Sequence, residues 1–212
     1  MHLIDHMKRQ KFNKLYRSEF LKPLEAIGFE IFKKKSLRYS EQGQDLRLVV
    51  LGGKFAKPGV IRTVICFRHQ FLRPPKNGYI GEDVFDVAEF PRKLTFYDFS
   101  GTYVRPDYQS DRFYQWGFDS LDYVNADEDD VSKRLDALKE TMVNRVLPWM
   151  KVLTPYGELA QMKKHGRNTW FERLWIEDYE GFIKNERSVC GQLKKRGGYG
   201  MLVCAARALT KI

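Results

Sequence analysis

The segment Val60–His69 constrains the fold more than any other stretch. Its ten residues contain no glycine or proline and alternate with a period of two. Ile61, Thr63, Ile65 and Phe67 fall on one face, and Arg62, Val64, Cys66 and Arg68 on the other, the pattern of a β-strand in a packed sheet. Upstream, Leu46–Leu51 is nearly continuous in apolar residues, as expected of a central strand covered on at least one face. Between them, Gly52-Gly53-Lys54 and Pro58-Gly59 supply turn chemistry, so Leu46 to Phe67 is expected to form an antiparallel hairpin. A sheet built on such strands needs a covering layer, and the flanking sequence offers helices for it.

Phe12, Leu15, Tyr16, Phe20, Leu24 and Ile27 recur at mostly three- and four-residue steps, predicting an amphipathic helix from Phe12 to Ile27. Pro23 lies inside it and is expected to kink or divide it near Leu21–Lys22. Gly28 follows where a left-handed residue commonly ends a helix, and Phe29 is placed to fold back as an apolar contact. A second helix opens at Asn125–Asp130, with Asn125 or Asp127 as N-cap and the acidic cluster at the positive end of the dipole. Its apolar stripe is Val131, Leu135, Leu138, Met142 and Val146, whose burial contributes on the order of 8–15 kcal/mol before chain entropy is subtracted. Pro148 is expected to end or bend it. Thr154-Pro155 then reads as an N-cap followed by proline at the first helical position, starting a helix to about Lys164.

Trp170, Phe171, Leu174, Trp175, Tyr179, Phe182 and Ile183 are spaced like the buried face of a further helix. Lys194-Lys195-Arg196-Gly197-Gly198 reads as an exposed turn, and Leu202–Leu209 as another helix former. Ser36–Ser40, Leu94–Phe99 and Phe113–Phe118 are additional strand candidates, the last with Trp116 between Tyr114 and Phe118. Phe71–Lys93, rich in proline and glycine, reads as a long irregular stretch. With no internal repeat or low-complexity linker, the expectation is one α+β domain over residues 1–212. It would hold an antiparallel sheet of about five strands packed against the N-terminal and central helices, with a core over about 10–160 and a helical C-terminal extension over about 161–212.

Composition narrows the function classes. Of 212 residues, 43% are hydrophobic and 14% aromatic, enough for a packed core without disulfides or metal. The apolar runs Leu48–Leu51, Val64–Phe67 and Met201–Ala206 fall far short of the roughly 20 residues of a membrane-spanning helix. The first ten residues hold no apolar stretch suited to a signal peptide. The three cysteines Cys66, Cys190 and Cys204 are odd in number and form no C-x-x-C pair, which suits a reducing compartment. Cytoplasmic localisation is the expectation, with no membrane association. Net charge is +10, but it is unevenly spread: residues 1–76 carry +11, residues 77–140 carry −8 and residues 141–212 carry +7. A strongly acidic middle is not what a general polyanion-coating protein needs.

No catalytic, cofactor or metal signature emerges. Gly52-Gly53-Lys54 lacks both the earlier glycine and the following Ser/Thr of a phosphate loop, with Leu48 and Phe55 in those places. Gly197-Gly198-Tyr199-Gly200 has no strand feeding it. His2 and His6 have helical metal-pair spacing but no third ligand. Asp127–Asp130 lack the glycine and distal glutamate of a calcium loop. His69, at the end of the best strand, reads as a surface residue with some capacity for proton transfer. Cys66 and Cys204 read as small core residues. What remains is a candidate binding surface of Arg38, Arg62, Arg68, His69 and Trp116, since a sheet face bearing arginines and aromatics can engage a partner by stacking and charge.

The order of elements resembles a family. Leu21-Lys22-Pro23-Leu24, Ile27-Gly28-Phe29, Leu37-Arg38-Tyr39, Leu48-Val49-Val50, Trp116 and Val146-Leu147-Pro148-Trp149 with Leu153 are similar to the bacterial domain-of-unknown-function family numbered 4304, over roughly residues 10–160. The resemblance implies an α+β fold in the bacterial cytoplasm and assigns no catalytic residues. The functional expectation is a non-enzymatic protein-binding module, an immunity or accessory factor for example. The alternatives are a nucleic-acid-binding protein using the basic N-terminal third and a hydrolase with a non-contiguous site. The oligomeric state and the partner's identity are not legible.

Overall fold

The computed structural model describes residues 7–32, 35–51, 58–74, 90–99 and 119–195. Their sheet is antiparallel throughout, with strands β1 (Glu30–Phe32), β2 (Ser36–Glu41), β3 (Gln44–Val50), β4 (Val60–His69) and β5 (Arg92–Leu94) in spatial order. A sixth strand, β6 (Asp119–Asp122), shares the outer edge of β4 with β5. It pairs along Val60–Thr63, while β5 pairs along Ile65–Phe67. The expected β3–β4 hairpin is present, Leu46 facing Phe67 and Leu48 facing Ile65.

β2 and β3 are joined by a loop of two residues, Gln42 and Gly43, both with positive φ (50° and 79°). Positive φ at both central positions is the turn geometry that matches strand twist, usually served by Asn-Gly. Of the strand candidates, Leu94–Phe99 is corrected. The strand ends at Leu94, and Phe96–Phe99 is a 3₁₀ turn. The carboxylate of Asp98 accepts from both the backbone N–H and the hydroxyl of Thr95, at 2.7 and 2.9 Å, a local bond that competes with the ladder. The candidate strand Phe113–Phe118, the basic turn from Arg196 on and Leu202–Leu209 lie outside the described residues, whereas Lys194 and Lys195 continue a helix.

The helical layer holds α1 (Arg9–Leu15) and α2 (Lys22–Glu25), then α3 (Glu128–Thr141), α4 (Leu147–Val152), α5 (Pro155–His165) and α6 (Trp170–Lys195). Neither internal proline ends its helix. Tyr16–Leu21 and Met142–Val146 are π-helical segments that carry α1 into α2 and α3 into α4. A helical proline collides with the carbonyl four residues earlier and leaves it without a donor. Here the residue just before each proline bonds one step further back, Lys22 to the Arg17 carbonyl and Leu147 to that of Met142. The widened turn absorbs the proline in both places. Asp127 caps α3 by accepting from the Asp130 N–H, and Thr154 caps α5 by accepting from that of Gly157.

Gly28 sits at φ +103°, and the Phe29 N–H returns to the Leu24 carbonyl, closing α2 in the expected manner. A Cβ there would lie 3.4 Å from the Tyr39 ring, so space is adequate and conformation is the obstacle. Gly28→Ala is expected to cost about 1–2 kcal/mol, measured as a lowered urea midpoint with an unchanged m-value. A cost below a few tenths would show that the left-handed conformation is not required.

The main core lies between the sheet and helices α1 to α4, with Phe12, Phe20, Leu46, Leu48, Phe67, Leu135 and Met142 fully buried. A second, smaller core joins Leu72, just past β4, to Met162 of α5 and to Trp175 and Tyr179 of α6. The helical C-terminal unit thus begins with α5 and is docked on the end of β4. Among the described residues, no helix is long and apolar enough to cross a membrane.

Candidate functional site

The two faces of the sheet treat their polar residues differently. On the face away from the main core, Glu30, Arg38, Arg47, Cys66 and Lys93 form one cross-strand row from β1 to β5. Arg38 bonds Glu30, while Arg47 and Arg68 both reach the buried Asp45 carboxylate, at 3.3 and 3.4 Å. The same two guanidinium groups lie 4.9 and 5.0 Å from the Phe90 ring centre, a cation–π arrangement. Phe90 packs with Val49, Val64 and Cys66 in a small separate cluster.

Of the five residues singled out from the sequence, Arg38, Arg62 and Arg68 share this face. Arg38 and Arg68 are tied to acids there, and Arg62 is half-buried at the other end of β4. Trp116 lies outside the described residues. Lys93, buried in the same row, has its amine pushed down to about 8 by desolvation, against the attraction of the Cys66 thiol and Glu172.

His69 departs from expectation. It is 5% exposed, not a surface residue, and lies on the opposite face. The second core covers the end of β4 and packs the ring among Phe67, Phe71 and Tyr179. Its Nδ1 lies 3.0 Å from the Tyr179 hydroxyl, and a second hydrogen bond ties it to the Leu153 backbone. Burial pushes the imidazole down to about 4, a shift the Leu153 bond opposes only in part. At neutral pH the ring is therefore an uncharged structural bridge and a poor base.

This bridge forms the floor of a cleft of about 380 Å³ where four parts of the chain meet. The β2–β3 turn supplies Gln42 and Gly43. The ends of β3 and β4 supply Gln44, His69 and Phe71. The α4–α5 junction supplies Lys151 and Leu153 through Tyr156, and α6 supplies Phe182 and Glu186. Gln44 faces His69 across the ladder and donates to the Leu153 carbonyl at 2.9 Å, which fixes the α4–α5 junction over the sheet end. Phe71 and Phe182 stack with ring centres 4.2 Å apart and planes within 7°. Tyr156 is half-buried with the Arg187 guanidinium 5.8 Å from its ring. Lys151 and Glu186 place opposite charges at the rim. Among the described residues, no three His, Cys, Asp or Glu side chains are grouped to hold a metal ion.

Apart from His69, none of these residues was expected in a site. They come together from positions 42 to 186, and none carries a local motif. The Thr154-Pro155 helix start and the aromatic spacing of α6 were legible, but only as structural signals. No family model matches the chain, and no curated protein or solved structure matches it significantly.

Proposed function

We propose that this chain is a non-enzymatic protein-binding module whose contact site is the cleft between the β2–β3 turn and helices α4 to α6. The observation that supports this reading is the composition of the cleft. Three aromatic rings, Phe71, Tyr156 and Phe182, flank a cavity large enough for a partner's apolar side chain, with Lys151 and Glu186 at its edge. Aromatic anchors around a concavity with a charged rim are the usual make-up of an interface hot spot. The floor groups His69 and Gln44 are engaged with Tyr179 or with backbone, which suits a rigid receptor better than proton-transfer chemistry. The nucleic-acid alternative has less support on the sheet, because Arg38, Arg47 and Arg68 are each committed to a carboxylate.

The test is affinity capture from the source organism with the wild-type chain beside Tyr156→Ala and Lys151→Glu variants shown by circular dichroism to be folded. A protein retained by the wild type is expected to bind the Tyr156→Ala variant at least about tenfold more weakly, with a smaller loss for the rim variant. Recovery of no protein, or equal retention by all three, would overturn the reading.

A further inference from the structure

A second cavity, of about 250 Å³, lies within the main core, away from the cleft. Its walls are Tyr16 and Phe20 of the first π-helical segment, Leu48 of β3, Ile61 of β4 and Leu121 of β6. They are apolar apart from the Tyr16 hydroxyl, which donates to the Lys35 carbonyl. The floor carries Thr63, 7% exposed, whose hydroxyl has no hydrogen-bond partner among the described residues. At the mouth, Arg134, Ala137 and Leu138 occupy one stripe of α3 at i, i+3 and i+4. Arg134 is exposed, is the only charged residue lining the cavity and makes no ion pair or hydrogen bond among the described residues.

From this juxtaposition we infer that the cavity binds a small carboxylate with an apolar body, such as a medium-chain fatty acid. The hydrocarbon lies against Phe20, Ile61 and Leu121, and the carboxylate pairs with Arg134. Three observations converge on that class. Apart from the Thr63 hydroxyl on the floor, the inner walls offer a polar molecule no partner, and a buried polar group without one is costly. The volume exceeds the roughly 150 Å³ of an apolar cavity known to accept a benzene-sized guest. Arg134, the one cation lining the cavity among the described residues, sits at the mouth, where it keeps its hydration until a ligand anion arrives, and arginine grips a carboxylate through two parallel bonds. The π-helical segment matters here too. Both Tyr16 and Phe20 lie in that segment and contribute to the cavity wall.

The experiment titrates the full chain with hexanoate, octanoate and decanoate by calorimetry, with 1-octanol as the neutral counterpart. Saturable one-to-one binding of at least one acid is expected. Arg134→Gln is expected to weaken that acid about tenfold and to leave 1-octanol unchanged. Thr63→Ile, which removes no hydrogen bond and fills the floor, is expected to abolish binding of both, with its fold checked by circular dichroism. Absence of saturable binding across the acid series would overturn the inference. So would acid binding that both variants leave intact, the behaviour of nonspecific surface adsorption.

Discussion

Replacing Glu158 by alanine is expected to destabilise the fold by about 3–5 kcal/mol. Glu158 on α5 and Arg92 on β5 form a bidentate pair, Nε to Oε2 at 2.7 Å and the terminal nitrogen to Oε1 at 2.8 Å. Their side chains are 2% and 4% exposed. Removing the carboxylate takes both bonds of a bidentate acidic partner away from a buried guanidinium, and that desolvation penalty, rather than the pair's own attraction, sets the size of the loss. Folded domains of this size are stable by only about 5–15 kcal/mol, so the variant would be much depleted at 37 °C. The discriminating companion is the double replacement Arg92→Met with Glu158→Leu. Swapping a buried pair for apolar groups of similar volume is often neutral or stabilising, so the double variant should recover most of the loss. Urea unfolding measures all three. A Glu158→Ala variant within about 1 kcal/mol of the wild type would show that Arg92 is compensated by other groups or by water.

That pair also marks where sequence reading stops. The β3–β4 hairpin, the α3 stripe, the Gly28 closure and the Thr154-Pro155 start were legible because each rests on local periodicity or a local backbone requirement. Arg92 and Lys93 looked like loop residues. A three-residue strand has no period, and a charged strand is recognisable only once its acids are known to approach from α5 and α6. The two prolines were legible as points of division or bending, and the helical segments change at Leu21–Lys22 and at Val146–Leu147. What was not legible is that packing of Phe20 and Met142 into the core keeps the chain helical there and moves the disruption into a π-helical segment. The β2–β3 turn was missed because Gln42 stands where asparagine usually serves.

For the candidate site the division is sharper. Arginines alternating along β4 were visible, but not the acids Asp45 and Glu30 that neutralise their face. The cleft was invisible because its aromatics look like core positions. Phe71 and Phe182 serve that role on one side and line the cleft on the other. This double use follows from the second core being small: docking α5 and α6 on the end of one strand leaves a gap beside it.

Acidification should expose the link between that docking and His69. In the folded chain the imidazole is held down to about 4, chiefly by burial; in the unfolded chain it returns to about 6.5. Above pH 6.5 both states are neutral, and the stability tied to the neutral ring is fully present. As pH falls from 6.5 to 4, the unfolded chain takes up a proton that the folded chain refuses, so stability declines across that window and levels below it. The expected loss is about 3 kcal/mol. Carboxylates also titrate near the lower end, so the measurement is a difference: unfolding free energy from pH 7.5 to 4 for the wild type and for His69→Gln, which keeps a hydrogen-bonding side chain but does not titrate. The wild-type decline should exceed that of the variant by about 3 kcal/mol, most of it above pH 4.5. The Tyr179 hydroxyl and the Leu153 backbone hold the ring in place between β4, α6 and the α4–α5 junction. Protonation should therefore loosen the α5–α6 unit first, and amide exchange in α6 should accelerate before exchange in β3. Parallel pH curves for the two proteins would mean that the ring is solvated in solution and that His69 does not fasten the helices to the sheet.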